Sequence, residues 1–324
     1  MTPSPHAAPA APAAADACPA GERALGGGRF DERFLRKLES LVMTIRRSRV
    51  SDGLLRANRA SKRVGAGLEF ADHRDYAAGD DLRYLDWNLY GRLGRLALRL
   101  FQEEEDLLVE VLVDASASMG VPPRDRKLAV ACDLALAVGY LALVANDALR
   151  LTVLAADGPA TSPVLRQRRS VARLATLLDG VHAHGAVALG AALAHHARER
   201  AAPGVAIVIS DLMLEPPALE AGLLALRARR YEILLLHVVG RGELEPERHF
   251  GAGVLADVES GATHPVALTR ATLARYGELL RAHLDAVASV AARCQAVYAR
   301  LPSDGSVRDF VTIELPRLGV VRRR

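Results

Sequence analysis

Two short apolar runs, far apart in the chain, each end in an aspartate. Residues 107–113 read Leu-Leu-Val-Glu-Val-Leu-Val and lead into Asp114, and residues 205–210 read Val-Ala-Ile-Val-Ile-Ser and lead into Asp211. Runs this apolar, with at most one charge, predict strands buried on both faces. Such strands need helices on each side of a sheet, and the sequence between and after them supplies helical patterns. A helix is predicted over 126–144, then a strand over 149–155. The strand ends at Asp157-Gly158, a hairpin signal, with 161–166 as the antiparallel partner. Helices follow over 171–178 and 189–200, the second strand over 205–210, and a helix over 217–229 opening on Pro217. A strand over 231–239, a hairpin within 251–268, a long amphipathic helix over 270–294 and a strand over 296–301 complete the pattern. Alternating strands and helices predict an α/β fold with a doubly wound, mostly parallel sheet. The strands ending at Asp114 and Asp211 are expected side by side at its centre.

Ahead of this region the pattern changes. Residues 1–28 are rich in Ala, Pro and Gly and are expected to be disordered. Residues 29–106 read as a smaller extension. It holds a helix over 31–50, with Phe34, Leu35, Leu38, Leu41, Val42 and Ile45 on one face, and short strands within 92–101. The main domain is expected over 107–324. Residues 46–63 carry seven Lys or Arg against the single acid Asp52, but no interleaved aromatic residues. A solvated or protein-docking face is expected there rather than nucleic-acid binding. The net charge of +4 is carried almost wholly by arginine, the lysines being Lys37, Lys62 and Lys127. Cys18, Cys132 and Cys294 form no close pair, which argues against a disulfide framework or a zinc site. The last two fall on apolar helix faces and are expected as core thiols. The apolar run at 134–145 is short for a bilayer span, so no membrane span is expected, and the expected compartment is the cytoplasm.

The residues after the first strand are Asp114-Ala115-Ser116-Ala117-Ser118. A carboxylate and two hydroxyls in one turn, at the C-terminal end of a central strand, make a cup of hard oxygens. That donor set suits Mg²⁺, which keeps several waters and takes few protein ligands. Open α/β sheets bind their ligands at this edge. The bland alternative is a polar turn that caps the following helix.

Asp114, Ser116 and Ser118 resemble the metal-ion-dependent adhesion site of von Willebrand factor A domains. The resemblance implies that a Thr and a second Asp from later loops complete the shell, and that a partner protein supplies the last ligand, usually a carboxylate. Asp211 fits the second Asp. The Thr position falls within residues 185–190 on Val187, which has the shape and no lone pair. Mg²⁺ or Mn²⁺ is therefore expected to bind weakly, or only when a partner adds a carboxylate. A second block carries Gly67, Glu69, Phe70, Arg74 and Tyr76, then Gly79, Asp80, Asp81, Arg83, Asp86 and Trp87. It resembles the signature of the bacterial domain-of-unknown-function family 58, which precedes an A-type domain, and the likeness runs over roughly residues 34–320. It implies a non-enzymatic protein-interaction module similar to the partners or adaptors of MoxR-type AAA+ ATPases, its partner being such an ATPase or its client. Within the block, Asp80, Asp81 and Asp86 are expected to pair with Arg74 and Arg83 while Trp87 packs under the sheet. A family-specific docking surface is the alternative.

Two enzymatic readings compete. Ser118, followed in the chain by Asp211 and His237, has the order of a hydrolase triad, and Ser116 to Gly120 sits on a strand-turn-helix. However, Ser116 stands where the elbow needs glycine, and His237 falls within a strand. Asp114 could instead serve as the nucleophile of a dehalogenase-type phosphatase, but Ser116 replaces the second Asp of the D-x-D motif. No G-x-x-x-x-G-K-[ST] loop is present. His182, His184, His195 and His196 lack Cys or Glu partners at ligand spacing and are read as loop or surface histidines.

Overall fold

The computed structural model describes residues 29–44, 69–77, 82, 85–102, 108–199, 203–249, 253–259, 261–267 and 269–324. The Ala/Pro-rich stretch 1–28, the basic stretch 46–63, Cys18, Asp80, Asp81 and Arg83 lie outside them. Along the chain, β1 (Leu41–Met43), β2 (Glu69–Asp75) and β3 (Ala97–Gln102) come before the main sheet. β4 (Leu108–Asp114), β5 (Ala148–Ala155), β6 (Gly158–Thr161), β7 (Val205–Ser210) and β8 (Glu232–Val239) enter it. β9 (Gly253–Ala256) and β10 (Thr263–Val266) form a hairpin outside it, β11 (Val297–Pro302) closes its edge, and β12 (Val321–Arg323) pairs with β1.

The sheet order is β11-β8-β7-β4-β5-β6, parallel except for the hairpin partner β6. β4 and β7 are neighbours, with Val109 opposite Val205 and Val113 opposite Ile209. Asp114 and the Ser210-Asp211 pair therefore emerge together at the C-terminal edge. The period-2 alternation divides the strands between two cores. Val109, Val111, Val113, Ile207 and Ile209 pack toward the helices Lys127–Val144 and Val171–Asp179. Leu112, Ala206, Val208 and Leu235 pack toward the helices Leu189–Glu199, Pro216–Ala228 and Arg270–Arg293. Glu110, the one charge in β4, is fully buried and meets Arg150 at 3.1 Å and His196 at 3.5 Å. A strand buried on both faces accepts such a charge only with partners. Cys132 and Cys294 are buried free thiols, as expected.

The stretch Pro123–Val144 is long and apolar enough to cross a membrane by length and composition, but most of its apolar window is buried against the rest of the chain. A helix buried inside a sheet protein has the same composition.

Three expectations need correction. The first helix stops at Glu39 rather than running to residue 50. Leu41, Val42 and Met43 leave it to form β1, which pairs antiparallel with β12, so their apolar character serves a strand. The extension also holds an unexpected helix, Trp87–Leu93, where only strands were read. Asp86 caps it by accepting the Asn88 and Leu89 N–H groups, and Gly94 ends it in the left-handed conformation at φ 62°. The strand begins only at Ala97. Trp87 is 63% exposed and stacks edge-on against Tyr90, so it does not pack under the sheet. Asp86 also meets His73 at 2.9 Å; its expected pairing with Arg74 and Arg83 rests on side chains outside the described residues.

Phe30, Phe34, Leu35, Leu38, Leu41 and Met43 join the same apolar cluster as the Lys127–Val144 helix. On the opposite side of the sheet, the helices Leu189–Glu199 and Pro216–Ala228 approach backbone to backbone. A Cβ on Gly190 would lie 2.1 Å from the Ala218 carbonyl oxygen, and one on Gly222 would lie 2.8 Å from that of Gly190. Alanine at 190 would gain up to about 1 kcal/mol of helix propensity, yet the overpacking costs about 1–3 kcal/mol. Gly190→Ala is thus expected to lower stability in urea denaturation despite the better helix former. Unchanged or increased stability would show that the two helices can separate freely.

Candidate functional site

The candidate site starts with register. Because β4 and β7 pair in parallel, the residues at their C-terminal ends share one edge of the sheet. Asp114 is buried there. Its Oδ1 accepts the Ser116 N–H at 2.9 Å, and its Oδ2 accepts the Ser210 hydroxyl at 2.6 Å. The first bond folds the Asp-x-Ser turn back on itself. Ser116 and Ser118 then place their hydroxyls 2.9 Å apart. Adjacent ligands on an octahedral Mg²⁺, each about 2.0–2.1 Å from the ion, stand about 2.9 Å from one another. The two serines are thus already spaced as neighbouring ligands.

Asp211 is equally buried, and its Oδ2 accepts from Lys127 Nζ at 2.9 Å. Lys127 is 2% exposed and also reaches Glu243 at 2.5 Å. Burial alone would push its ammonium down, but the charges of Asp211 and Glu243 outweigh it and hold it above the ordinary lysine value. The backbone after Asp211 is braced from several sides. Leu212 adopts φ 51°, a left-handed conformation costing about 1–2 kcal/mol for a residue with a side chain. Its N–H donates to Ser210 Oγ, and its carbonyl accepts from His283. His237 meets the Tyr298 hydroxyl at 2.8 Å.

Asp114 is held above the usual carboxylate range, first by burial and then by the repulsion of Asp211, while the bonds from Ser210 and Ser116 work the other way. Among the described residues it takes part in no ion pair. Its partners are neutral donors, so its charge is hydrogen-bonded but not neutralised. No group of three or more His, Cys, Asp and Glu stands ready to hold a metal among the described residues. Any ion here must therefore be held largely by hydroxyls and water.

The loop over 182–187 lies against the Asp-x-Ser-x-Ser turn. The His184 N–H donates to the Ala115 carbonyl, and the Ala117 N–H donates to that of Gly185. Gly185 has φ 61°, and a Cβ there would meet Ala156 at 2.4 Å, so this close approach requires glycine. Val187 is half-buried and packs against the apolar cluster under the Leu189–Glu199 helix. His182, His184 and His195 are not buried; His196 is, packed against Glu110 and Tyr231 away from the site.

The hydrolase constellation is not assembled. His237 is engaged by Tyr298, and among the described residues no hydrogen bond joins it to Ser118. Burial pushes its imidazole down to about 4, so it stays neutral at neutral pH.

Two contributors escaped sequence reasoning. Ser210 directly precedes Asp211 and could have been read as a second strand-end hydroxyl. Lys127 left a faint signal, a lysine at the start of an apolar helix in a chain that otherwise uses arginine.

A family model described as "Protein of unknown function DUF58" matches residues 72–286. Uncharacterized proteins of Mycobacterium tuberculosis (Rv1480) and Mycobacterium bovis (Mb1516) are each 30% identical over 313 residues, covering 93% of either chain. Among solved structures, the BatB protein of Bacteroides thetaiotaomicron aligns at 15% identity with a TM-score of 0.38, over 65% of this chain and 98% of that one. The SpRpn10 VWA domain aligns at 14% identity with a TM-score of 0.36, over 64% of this chain and 94% of that one.

His237 gives the site a measurable pH dependence. Its folded pKa lies below the unfolded value of 6.5, so the unfolded chain binds the extra proton. Its contribution is fully present above pH 6.5 and is lost as pH falls toward about 4. Over that window stability is expected to drop by roughly 2–3 kcal/mol on its account. Chemical denaturation against pH should show this limb, and His237→Gln should flatten it.

Proposed function

Starting from the chain's membership of the DUF58 family, a family described as of unknown function, we propose that it is a non-enzymatic protein-interaction module. Its contact face is the C-terminal edge of the sheet around Asp114. A divalent cation, Mg²⁺ or Mn²⁺, bridges that face to an acidic residue of the partner. Ser116 and Ser118 would hold the ion through their hydroxyls, with Asp114 and Asp211 supplying charge directly or through water. The bound ion supplies a fixed positive charge that can accept one more oxygen ligand from outside. The finer statement, carried by family resemblance, is that the partner is a MoxR-type AAA+ ATPase or its client.

The observation that carries this reading is the state of Asp114. A buried carboxylate beside a second carboxylate, with neutral donors alone and two serine hydroxyls spaced as neighbouring ligands, is a site short of positive charge. A purely structural capping turn would not need a second buried carboxylate beside it, since each buried charge adds desolvation cost. The donor set also fits a hard ion better than a soft one, since it holds neither Cys nor His.

Val187 is what keeps the ion weakly held, because the loop beside the turn offers a methyl where an oxygen is needed. Calorimetric titration with Mg²⁺ or Mn²⁺ is expected to show weak binding by the wild type, none by Asp114→Ala, and tighter binding by Val187→Thr. Affinity capture of protein partners from the native cell should depend on the cation and fail with chelator or with Asp114→Ala. Partners captured equally by wild type and Asp114→Ala, with and without chelator, would overturn the cation-bridged reading.

A further inference from the structure

The far end of the central helix carries a different chemistry. The helix Lys127–Val144 has 18 residues, so its two ends lie about 27 Å apart. Lys127, at one end, is tied to Asp211. Ala145 caps the other end, beside the two-stranded sheet of β1 and β12. A cavity of about 420 Å³ opens there, lined by Val42, Ala145, Arg322, Arg323 and Arg324. Three of the five lining residues are arginines, and none is acidic.

Strand pairing holds these arginines in place. Arg322 stands opposite Val42, and Arg323 opposite Leu41. The Thr44 N–H donates to the Val320 carbonyl at 2.8 Å, and the Arg324 N–H donates to that of Ser40 at 2.9 Å. Leu41, Met43, Val320 and Val321 are buried in the same core as the central helix and anchor both strands. The backbone therefore cannot carry the three charges apart. The Arg324 guanidinium donates to the Val144 carbonyl at 3.2 Å, where a cation suits the negative end of the helix. Among the described residues, Arg322 and Arg323 enter no ion pair. Other arginines against this core are matched: Arg29 with Asp133 and Asp179, Arg168 with Glu39, and Arg308 with Asp31. Like charges gathered without an acid repel, and a multiply charged anion among them relieves that repulsion. A solvated basic face accounts for scattered exposed arginines. It does not account for three of them set around one cavity by a strand pairing.

We propose that this cavity binds a compact anion carrying two or more phosphate groups, the chemistry shared by the phosphate tail of a nucleotide and by inorganic polyphosphate. Arg322 and Arg323 hold the phosphates through paired N–H donors, the arrangement in which a guanidinium matches a phosphate. Arg324 adds charge from its place on the helix end. The volume falls within the range of about 300–1,000 Å³ typical of small-molecule sites, more than one phosphate fills. Only Val42 and Ala145 offer apolar wall, so the site selects charge before ring or chain. It stands at the opposite end of the helix from Asp114 and needs no cation, so it is independent of the cation-bridged reading.

The test is calorimetric titration of the full chain with tripolyphosphate at about 0.15 M salt. EDTA is present, so that phosphate cannot reach Asp114 through a metal. Arg322→Gln and Arg323→Gln are each expected to weaken binding about tenfold, the loss of one charged hydrogen-bonding partner. Both side chains are exposed, so the thermal midpoint should stay unchanged. Arg229→Gln removes the same charge from an exposed position after the Pro216–Ala228 helix, on the other side of the sheet, and should leave binding intact. Competition by ATP assigns the site to nucleotides, and its failure to compete assigns it to inorganic polyphosphate; either supports the proposal. Wild-type binding no tighter than that of the double variant Arg322→Gln/Arg323→Gln, or an equal loss in Arg229→Gln, overturns it. So does binding to phosphatidylserine vesicles or duplex DNA with none to tripolyphosphate. Amide hydrogen exchange on the wild type decides the matter if a variant folds poorly: tripolyphosphate should slow exchange in 41–43 and 321–323, and no change there overturns the proposal.

Discussion

The parallel pairing of β4 with β7 is the constraint on which the rest of the site depends. Both strands are buried on both faces, so a slip of one residue would carry every side chain into the wrong core. Val109 against Val205 and Val113 against Ile209 fix the register. That register sets Asp114 against Ser210 at 2.6 Å and leaves Asp211 one position beyond. The hydrophobic effect thus determines, through strand alternation, which carboxylates meet at the edge. The polar groups there follow from apolar packing; they do not create it.

Once two carboxylates are forced together, the structure treats them differently. Asp211 receives a buried ammonium from Lys127, which is also tied to Glu243. Lys127 opens the long central helix, and Glu243 sits in the short helix after β8. The Asp125 carboxylate beside it takes the Gly242 N–H at 2.8 Å. The start of the central helix is thereby pinned to the loop that follows β8. Breaking such a buried pair typically costs about 3–5 kcal/mol, which gives Lys127 a structural role independent of any ligand. Asp114 receives only hydroxyl and amide donors. One acid is tied into the fold by an ion pair, and the other, among the described residues, is not.

Much of this arrangement was legible in the sequence, because the strands and helices of residues 108–302 are long and strongly periodic. Both strand-end aspartates, their adjacency and the doubly wound sheet follow from apolar runs and their order. The extension was harder to read. Leu41, Val42 and Met43 fit a helical face and a strand equally well, and only the distant partner Val321–Arg323 decides between them. The helix at Trp87–Leu93 had readable punctuation in Asp86 and Gly94, but the family motif drew attention to its charges instead of its caps. Trp87 was expected inside because large aromatics usually bury; in the structure it stands exposed beside Tyr90. Lys127 comes from an element far from either aspartate, and no local pattern announces a partner that only tertiary folding brings near.

Lys127 also bears on why a cation site here would be weak. Its ammonium already neutralises Asp211 Oδ2, so a divalent ion arriving at Ser116 and Ser118 meets one fully available acid, Asp114, and a positive charge behind the other. Under the proposed reading Val187 would withhold a hydroxyl from the same shell. An ion held this loosely has an unfilled demand for negative oxygen, and the nearest supply is a carboxylate reached from solvent. Weak intrinsic binding and the need for an external acid are then the same property. A site that completed its own shell with buried groups would bind the ion more tightly and leave no coordination position through which a partner could be recognised.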